Sequence, residues 1–244
     1  MKPEFLSPVL ASVLTAGFML AGWQLLQPKK IEDVAAEARA ATVIVNTGKQ
    51  LPTGQVPFIG SGIGSGWFID DRGDILTAWH VADATQSKIF VTSIDGKKYK
   101  AKVVYENKDK DITILHIDGA NGHKFLTWGD SDKVKAGDTV IEAGNPYNYG
   151  IAATRGIVSI PVHRNEGDSV PSIQYDAATN PGNSGGPIVN KEGEAIGMAD
   201  AIYAPYGQSA GLAFALPAKE ILQALPPQFK SDPAELSVSP LIIG

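Results

Sequence analysis

The amino-acid sequence predicts an all-β protein. Twelve short runs rich in β-branched and aromatic residues follow one another, and turn signals such as Asp71-Arg72-Gly73-Asp74 and Lys191-Glu192-Gly193 separate them. No helical pattern lies between the runs, which favours a β-sandwich or β-barrel over an alternating α/β fold. The runs are 42–47, 65–70, 75–81, 88–94, 100–106, 112–117, 139–144, 151–160, 172–177, 187–190, 195–203 and 211–216.

Two short helices are predicted at the ends of the β region. Residues Ile31 to Ala41 are rich in Ala and Glu, which favour helix, and they lead directly into the first strand. Residues Ala218 to Leu225 form the second predicted helix, which Pro226-Pro227 ends. The residues after this point, 229–244, are predicted to be an extended C-terminal tail.

An apolar segment precedes the first of these helices. Residues Phe5 to Leu26 contain no charge, and ~20 such residues are enough to cross a bilayer core of ~30 Å. We therefore expect residues 1–30 to contain a membrane anchor, inserted through 5–26, with the folded domain outside the cytoplasm. The alternative is a secretory signal that is cleaved, but the segment has no convincing cleavage site.

Composition excludes several functional classes. The 244 residues carry a net charge of -5 without a basic block, so nucleic acid is not a predicted partner. The chain has no cysteine, which excludes disulfides, thiol chemistry and cysteine-based zinc sites. No cofactor and no metal site are predicted.

The segment Asn180–Pro187 is the most distinctive in the chain. Its sequence, NPGNSGGP, surrounds Ser184 with glycine, proline and asparagine, which force an irregular backbone path. Such a turn can present a serine hydroxyl in a cleft with amide N–H groups beside it. An acyl-transfer nucleophile needs this arrangement, because negative charge develops on the substrate's carbonyl oxygen. A surface turn in an all-β protein is the alternative.

A serine nucleophile requires a general base, and histidine has a suitable pKa. Of the four histidines, His80 is the best candidate because it ends the apolar run 75–81 beside a turn. His116 lies in the alternating run 112–117 and is predicted to be a surface or satisfied core residue. His123 and His163 are predicted to lie in polar loops.

An acid is needed to orient the imidazole of the base. Asp111 is predicted to open the strand 111–115 with its carboxylate at the mouth of the sheet. Asp109 is its rival, and an ion pair with a neighbouring lysine is the non-catalytic alternative for Asp111. The chain order His80, Asp111, Ser184 matches the order of the chymotrypsin-type triad.

With these motifs the sequence resembles trypsin-like serine proteases, and specifically the HtrA/Deg family of bacterial and organellar proteases. The similarity is carried by GSGWFI (64–69), LTAWHV (76–81), KDITIL (110–115) and QYDAATNPGNSGGPIVN (174–190). It implies a chymotrypsin-like double six-stranded β-barrel with the active site between the barrels. It further implies Ser184 as nucleophile, His80 as base, Asp111 as orienting acid, and an oxyanion hole formed by the N–H groups of Gly182 and Ser184.

The resemblance also implies a domain organisation and a substrate class. A protease domain would span 31–228, with barrel one at about 42–120 and barrel two at about 130–217, and it would hydrolyse unfolded or exposed polypeptides. Only about twenty residues follow the final helix, too few for the PDZ domain that relatives often carry, so a protease without one is expected. Relatives tend to form trimers, which suggests a homotrimer.

The resemblance places the primary specificity pocket near Ala178, with the strand around Ala199 and Ile202 as a wall. None of these is acidic, so a preference for small or medium aliphatic side chains is predicted. Two other functions remain open: a catalytically inactive, protease-like scaffold at the membrane, and an esterase of the α/β-hydrolase type. The second fits poorly, because that fold places its histidine last in the chain.

Overall fold

The computed structural model describes residues 28–47, 62–85, 88–119, 122–164, 170–202 and 210–230. Twelve strands and two α-helices lie in these segments. The helices are α1 (Ile31–Ala41) and α2 (Ala218–Ala224). The strands are β1 (Thr42–Thr47), β2 (Ile63–Phe68), β3 (Asp74–Ala78), β4 (Ile89–Thr92), β5 (Lys98–Asn107), β6 (Ile112–Ile117), β7 (Thr139–Gly144), β8 (Ala152–His163), β9 (Ser172–Tyr175), β10 (Pro187–Val189), β11 (Ala195–Ile202) and β12 (Ala213–Pro217).

The strands form two closed antiparallel barrels of six strands each. The first has the order β1-β2-β3-β6-β5-β4 and the second has the order β10-β11-β12-β9-β8-β7. Closure removes the unpaired sheet edges that otherwise promote aggregation. The prediction of a double six-stranded barrel is confirmed.

The pairing of β3 with β6 determines what lies at the mouth of the first barrel. The two strands are antiparallel, and Ala78 at the end of β3 is opposite Ile112 at the start of β6. Both strands are almost entirely buried, so a register slip would move apolar side chains out of the core. The turn after β3 and the turn before β6 are therefore fixed side by side.

The second barrel holds the long connection between β9 and β10, residues 176–186. This segment contains the predicted nucleophile loop. The main-chain N–H of Gly185 donates to the carbonyl of Ala199 (2.8 Å), and the N–H of Ala199 donates to the carbonyl of Gly186 (2.8 Å). The loop is thus attached to β11 of its own barrel.

The helices link the two barrels. Helix α1 runs directly into β1 of the first barrel, yet it packs on β7 and β8 of the second, and Arg39 donates to the Ile151 carbonyl (3.1 Å). Helix α2 follows the last strand of the second barrel. Its Glu220 pairs with Lys110 of the first barrel (2.8 Å), and the Tyr105 hydroxyl donates to its Ala224 carbonyl (2.7 Å).

Buried apolar side chains form two groups. The larger one fills the first barrel and continues through Ile141, Met198 and Leu216 into the second. The smaller one, which includes Val140, Ile173 and Ile188, fills the centre of the second barrel. The continuous apolar contact between the barrels fixes their relative position, and the functional groups described below lie where they meet.

The predicted membrane anchor (5–26) and the C-terminal tail from residue 231 lie outside the described residues. Within the described part of the chain, no helix has both the length and the apolar character needed to cross a bilayer. The predicted helix near the C-terminus ends at Ala224, one residue earlier than expected.

Candidate active site

His80 lies in the turn that follows β3. Three hydrogen bonds join this turn to Asp111. The Trp79 N–H donates to the Asp111 carbonyl (3.1 Å), and the His80 N–H donates to Asp111 Oδ1 (2.8 Å). The His80 Nδ1 is hydrogen-bonded to Asp111 Oδ2 (2.7 Å). Both carboxylate oxygens therefore contact His80. The hydrogen bond to Asp111 raises the pKa of His80 above its ordinary value, burial opposes that rise, and the charges of Asp111 and Asp200 add to it.

Asp111 adopts an unusual backbone conformation. Its φ of 54° lies in the left-handed region, at the end of the 3-10 helix Lys108–Lys110, which Asn107 caps. Aspartate tolerates this conformation better than most residues. The strand begins at Ile112, so the prediction that Asp111 opens it is wrong by one residue. The rival acid, Asp109, lies exposed within the 3-10 helix.

The other three histidines have structural contacts away from this site. His116 Nδ1 is 2.7 Å from an Asp74 oxygen. His123 stacks on Phe68 with ring centroids 4.5 Å apart and contacts the Tyr99 hydroxyl. His163 ends strand β8, where a polar loop was predicted.

The loop that carries Ser184 requires glycine at two positions. Gly182 and Gly185 have φ of 101° and 85°, which side chains with a Cβ rarely adopt. A Cβ on Gly182 would lie 2.3 Å from the Asn145 carbonyl oxygen, and one on Gly185 would lie 2.3 Å from the Ser65 carbonyl oxygen. Glycine is needed here for both conformation and space.

Ser65 of the first barrel holds this loop in place. Its N–H donates to the Ser184 carbonyl (2.9 Å), and its hydroxyl donates to the Gly182 carbonyl (2.7 Å). The same hydroxyl accepts from the Asn145 N–H (2.9 Å), and the Tyr147 N–H donates to the Pro181 carbonyl (2.8 Å). The contacts of Ser65 cross between the barrels, whereas the Tyr147–Pro181 bond lies within the second barrel.

Ser184 lies in the same groove as His80. A Cβ on the adjacent Gly185 would be only 2.9 Å from the Ala78 nitrogen, two residues before His80. The Ser184 hydroxyl donates to the Asp200 carbonyl (3.4 Å), and among the described residues no hydrogen bond joins it to His80. Hydrogen bonds between nucleophile and base are often long before substrate binds.

The predicted oxyanion donors are available for a ligand. Within the segments that the structure describes, the N–H groups of Gly182 and Ser184 donate to no protein acceptor. They flank the Asn183 N–H, which closes a turn onto the Asn180 carbonyl (3.0 Å). Two unpaired amides beside a serine hydroxyl can stabilise an oxyanion.

The three residues predicted for the specificity pocket have different environments. Ala178 is exposed, and its carbonyl accepts from the Thr154 hydroxyl (3.2 Å). Ile202 is partly buried. Ala199 is 1% exposed and packs in the core of the second barrel, so its side chain is not on the surface. The pocket assignment remains a prediction.

Sequence reasoning missed two acids in the second barrel, Asp200, which is partly buried, and Glu142, which is buried. Asp200 lies on β11, where burial and the neighbouring Asp111 charge raise its pKa to about 6. Glu142 lies on β7, and burial raises its pKa to about 8, partly offset by hydrogen bonds from Thr179, Asn183 and Tyr175. In the sequence each acid lies within an otherwise apolar strand, and this pattern could have identified both. Burying a charged carboxylate at such a position is costly unless a partner or a bound proton offsets the charge.

His80, Asp111 and Asp200 offer ligand atoms within 4.8 Å of one another, close enough for a metal ion. Both Asp111 oxygens, however, already contact His80. Hydrogen bonding therefore explains why His80 and Asp111 lie close together, without a metal ion.

Comparison with known proteins gives the same family throughout. A family model described as a trypsin-like peptidase domain matches residues 64–198. The chain is 40% identical over 163 residues to a probable periplasmic serine protease do/HhoA-like of Haemophilus influenzae, covering 65% of this chain and 35% of that protein. It is 39% identical over 173 residues to a probable periplasmic serine endoprotease DegP-like of Marinomonas sp., covering 70% and 36%.

A solved structure of the HtrA-type protease AlgW with tripeptide superimposes with a TM-score of 0.71 at 33% identity, covering 80% of this chain and 62% of that one. The chain spans only about a third of the length of the curated relatives named above, 35% and 36%. The residues that the family model matches nevertheless include His80, Asp111, Gly182 and Ser184. The chain therefore belongs to the trypsin-like peptidase family, among its HtrA-type serine proteases.

Proposed function

We propose that the protein is a serine endopeptidase that hydrolyses peptide bonds of unfolded or exposed polypeptides. The observation that carries this proposal is the His80–Asp111 pair, with Nδ1 2.7 Å from Oδ2, in the groove that also holds the Ser184 loop. Ser184 is the nucleophile, His80 the general base, and Asp111 the acid that keeps the proton on Nδ1 so that Nε2 can accept one.

The reaction proceeds through an acyl-enzyme. The Ser184 hydroxyl turns from the Asp200 carbonyl toward His80 and attacks the substrate carbonyl, while the imidazole takes its proton. The N–H groups of Gly182 and Ser184 stabilise the oxyanion, and each such donor is worth ~10²–10³ in rate. His80 then protonates the leaving amine and activates the water that releases the product.

The residues assigned to the predicted specificity pocket support a preference for uncharged substrate side chains. Ala178 and Ile202 carry no charge, so the enzyme prefers small or medium aliphatic residues before the scissile bond. Mass-spectrometric mapping of casein fragments tests this preference, and a strong preference for Arg or Lys would contradict it.

The named relatives are called periplasmic, which supports a location outside the cytoplasm for this protein. Membrane attachment through residues 5–26 and assembly into a homotrimer belong to the same proposal. Fractionation of cells and analytical ultracentrifugation of the purified protein test these two points separately.

One observation favours a second candidate, an inactive protease-like scaffold: the Ser184 hydroxyl bonds to Asp200 and not to His80. A fluorophosphonate probe separates the two functions, because it reacts only with an activated serine. We expect the wild-type protein to be labelled and Ser184→Ala to remain unlabelled. Failure to label the folded wild-type protein, with or without added peptide, would support the scaffold.

A further inference from the structure

Asp200 lies at an irregularity in strand β11. Ala199 pairs with Ala215 and Ala201 pairs with Phe214, so β11 contains one extra residue between these pairs, and that residue is Asp200. Such β-bulges re-aim a side chain and are common beside active sites. Ala199 points into the barrel core, whereas Asp200 is only partly buried and extends toward the first barrel.

Asp200 is close to every member of the proposed triad. Its carbonyl accepts from the Ser184 hydroxyl (3.4 Å). Its carboxylate lies within 4.8 Å of ligand atoms of both His80 and Asp111. A hydrogen bond with Asp111 is among the causes that raise its pKa. One residue of the second barrel therefore lies beside the proposed acid and base and accepts from the proposed nucleophile.

Two carboxylates cannot share a hydrogen bond unless one carries a proton. Both Asp111 oxygens accept from His80, so Asp111 has the stronger reason to stay ionised and Asp200 is the better site for the proton. Burial and the Asp111 charge raise the pKa of Asp200, and His80 opposes that rise. Tyr175 on β9 is the other titratable group whose charge state Asp200 influences.

We propose that Asp200 is a positioning residue for the His80–Asp111 pair. With its proton it donates a hydrogen bond to Asp111 and fixes that carboxylate. Without its proton it adds a second negative charge beside the imidazole. This inference rests on the proposed function and extends it to a fourth side chain.

The sign of the effect on activity follows from charge. A negative Asp200 favours the imidazolium form and so raises the pKa of His80. The free enzyme needs neutral His80, so this charge moves the acidic limb of the kcat/KM profile to higher pH. Asp200→Asn keeps a donor toward Asp111 and removes the charge, and Asp200→Ala removes both.

The first test is the pH dependence of peptide hydrolysis by the full chain. For Asp200→Asn we expect the acidic limb of kcat/KM to move to lower pH by roughly half to one pH unit. Asp200→Ala is expected to show the same move and a further fall of about tenfold in kcat, because Asp111 loses its donor. Asp138→Asn, an exposed acid in the turn before β7, is the control that leaves the limb in place.

The second test needs no turnover. His80 is titrated by NMR in Ser184→Ala and in Ser184→Ala combined with Asp200→Asn. We expect the imidazole to titrate at lower pH in the double variant. If the Asn variant does not fold, Asp200→Ser, which keeps a hydroxyl donor, takes its place.

The two tests separate failure of this inference from failure of the proposed function. An unchanged His80 titration and an unmoved acidic limb would overturn the role of Asp200 even in an active protease. A shifted His80 titration in a protein that the fluorophosphonate never labels would support the electrostatic role of Asp200 and reject the peptidase.

Discussion

The two barrels share one topology but contribute to the site in different ways. The first barrel builds the His80–Asp111 pair within itself, because β3 and β6 are neighbours and the turns at their ends exchange three hydrogen bonds. The second barrel holds its Ser184 loop with contacts of its own and with contacts from the first barrel. That loop depends on Ser65, which belongs to the first barrel.

This difference separates residues that act in the chemistry from residues that join the two barrels. A change in the pair should impair chemistry and leave the structure intact, since the pair lies at an exposed mouth where His80 is 45% exposed. A change at the contact between the barrels should impair stability and activity together, because the same hydrogen bonds support both.

The largest effect should come from the pair and the nucleophile. We expect Ser184→Ala or His80→Ala to lower kcat by ~10⁶, and Asp111→Asn by ~10⁴, with little change in melting temperature. Asp109→Asn, two residues away and exposed, is the matched control and should retain activity. Peptidase rates and thermal unfolding measure both quantities, and an active Asp111→Asn variant would contradict the assignment.

The next largest effect is expected from replacing Gly185 with alanine, and Gly96 is its matched control. Gly185 (φ 85°) and Gly96 (φ 82°) have nearly the same conformation, but a Cβ on Gly185 would meet Ser65, Thr77 and Ala78 at 2.3 to 2.9 Å, whereas one on Gly96 would meet nothing within 4 Å. Gly96→Ala should cost only the strain of about 1 kcal/mol.

Gly185→Ala should cost at least about 3 kcal/mol and abolish activity, because main-chain atoms cannot move away cheaply. Urea unfolding of both variants measures the difference. Equal losses of stability in the two variants would show that the barrels can separate locally around Gly185.

Ser65→Ala is predicted to have a smaller effect on both properties. It leaves the Gly182 carbonyl and the Asn145 N–H without a partner, at a cost of about 1–3 kcal/mol in stability. We expect kcat to fall by about 10- to 100-fold, since Gly182 is a proposed oxyanion donor.

Ser93→Ala is the control for this change. Ser93 is also buried in the first barrel, but its hydroxyl bonds to Asp95 in a turn far along the chain from the loop. Its loss should reduce stability by about 1 kcal/mol and leave kcat unchanged. If Ser65→Ala behaves in the same way, the loop does not depend on the first barrel.

The last predicted effect concerns Glu142, which lies in the second barrel, and it is an effect on stability alone. Its Oε1 is buried without a hydrogen-bond partner among the described residues, and burial favours the protonated carboxyl. Its pKa rises from 4.5 to about 8 on folding. The folded state therefore binds more protons between these values, and stability falls as pH rises from about 4.5 to about 8.

Glu142→Gln should remove this pH dependence, which amounts to a few kcal/mol. Urea unfolding at pH 5 and pH 8 measures it, and the exposed Glu192→Gln is the control. A pH dependence that persists in Glu142→Gln would show that another group is responsible.

Local sequence was sufficient for much of the structure. The predicted runs correspond to the twelve strands because alternation and turn residues act over a few positions, and strands 42–47, 112–117 and 139–144 were bounded correctly. The NPGNSGGP segment indicated an irregular loop around Ser184, since positive φ at Gly182 and Gly185 is a demand that only a few residue types satisfy.

The site itself could be only partly predicted. The choice of Asp111 over Asp109 from composition alone was open, and the chain order favoured it only together with the resemblance to a family. In the structure Asp111 adopts the left-handed conformation and its carboxylate contacts His80, and neither outcome follows from residue type alone. The role of Ser65 was invisible for a similar reason, because its partners lie about eighty to a hundred and twenty positions away.

The sequence by itself determined the strand segments, the two helices and the residues capable of acyl-transfer chemistry, because propensity, alternation and side-chain chemistry are local. Only the tertiary structure decided that β3 lies against β6, that a bulge carries Asp200 to Asp111, and that Ser65 holds the nucleophile loop. Those outcomes depend on barrel closure and strand register, which arise from the burial of many apolar side chains together and leave no signal at any one position.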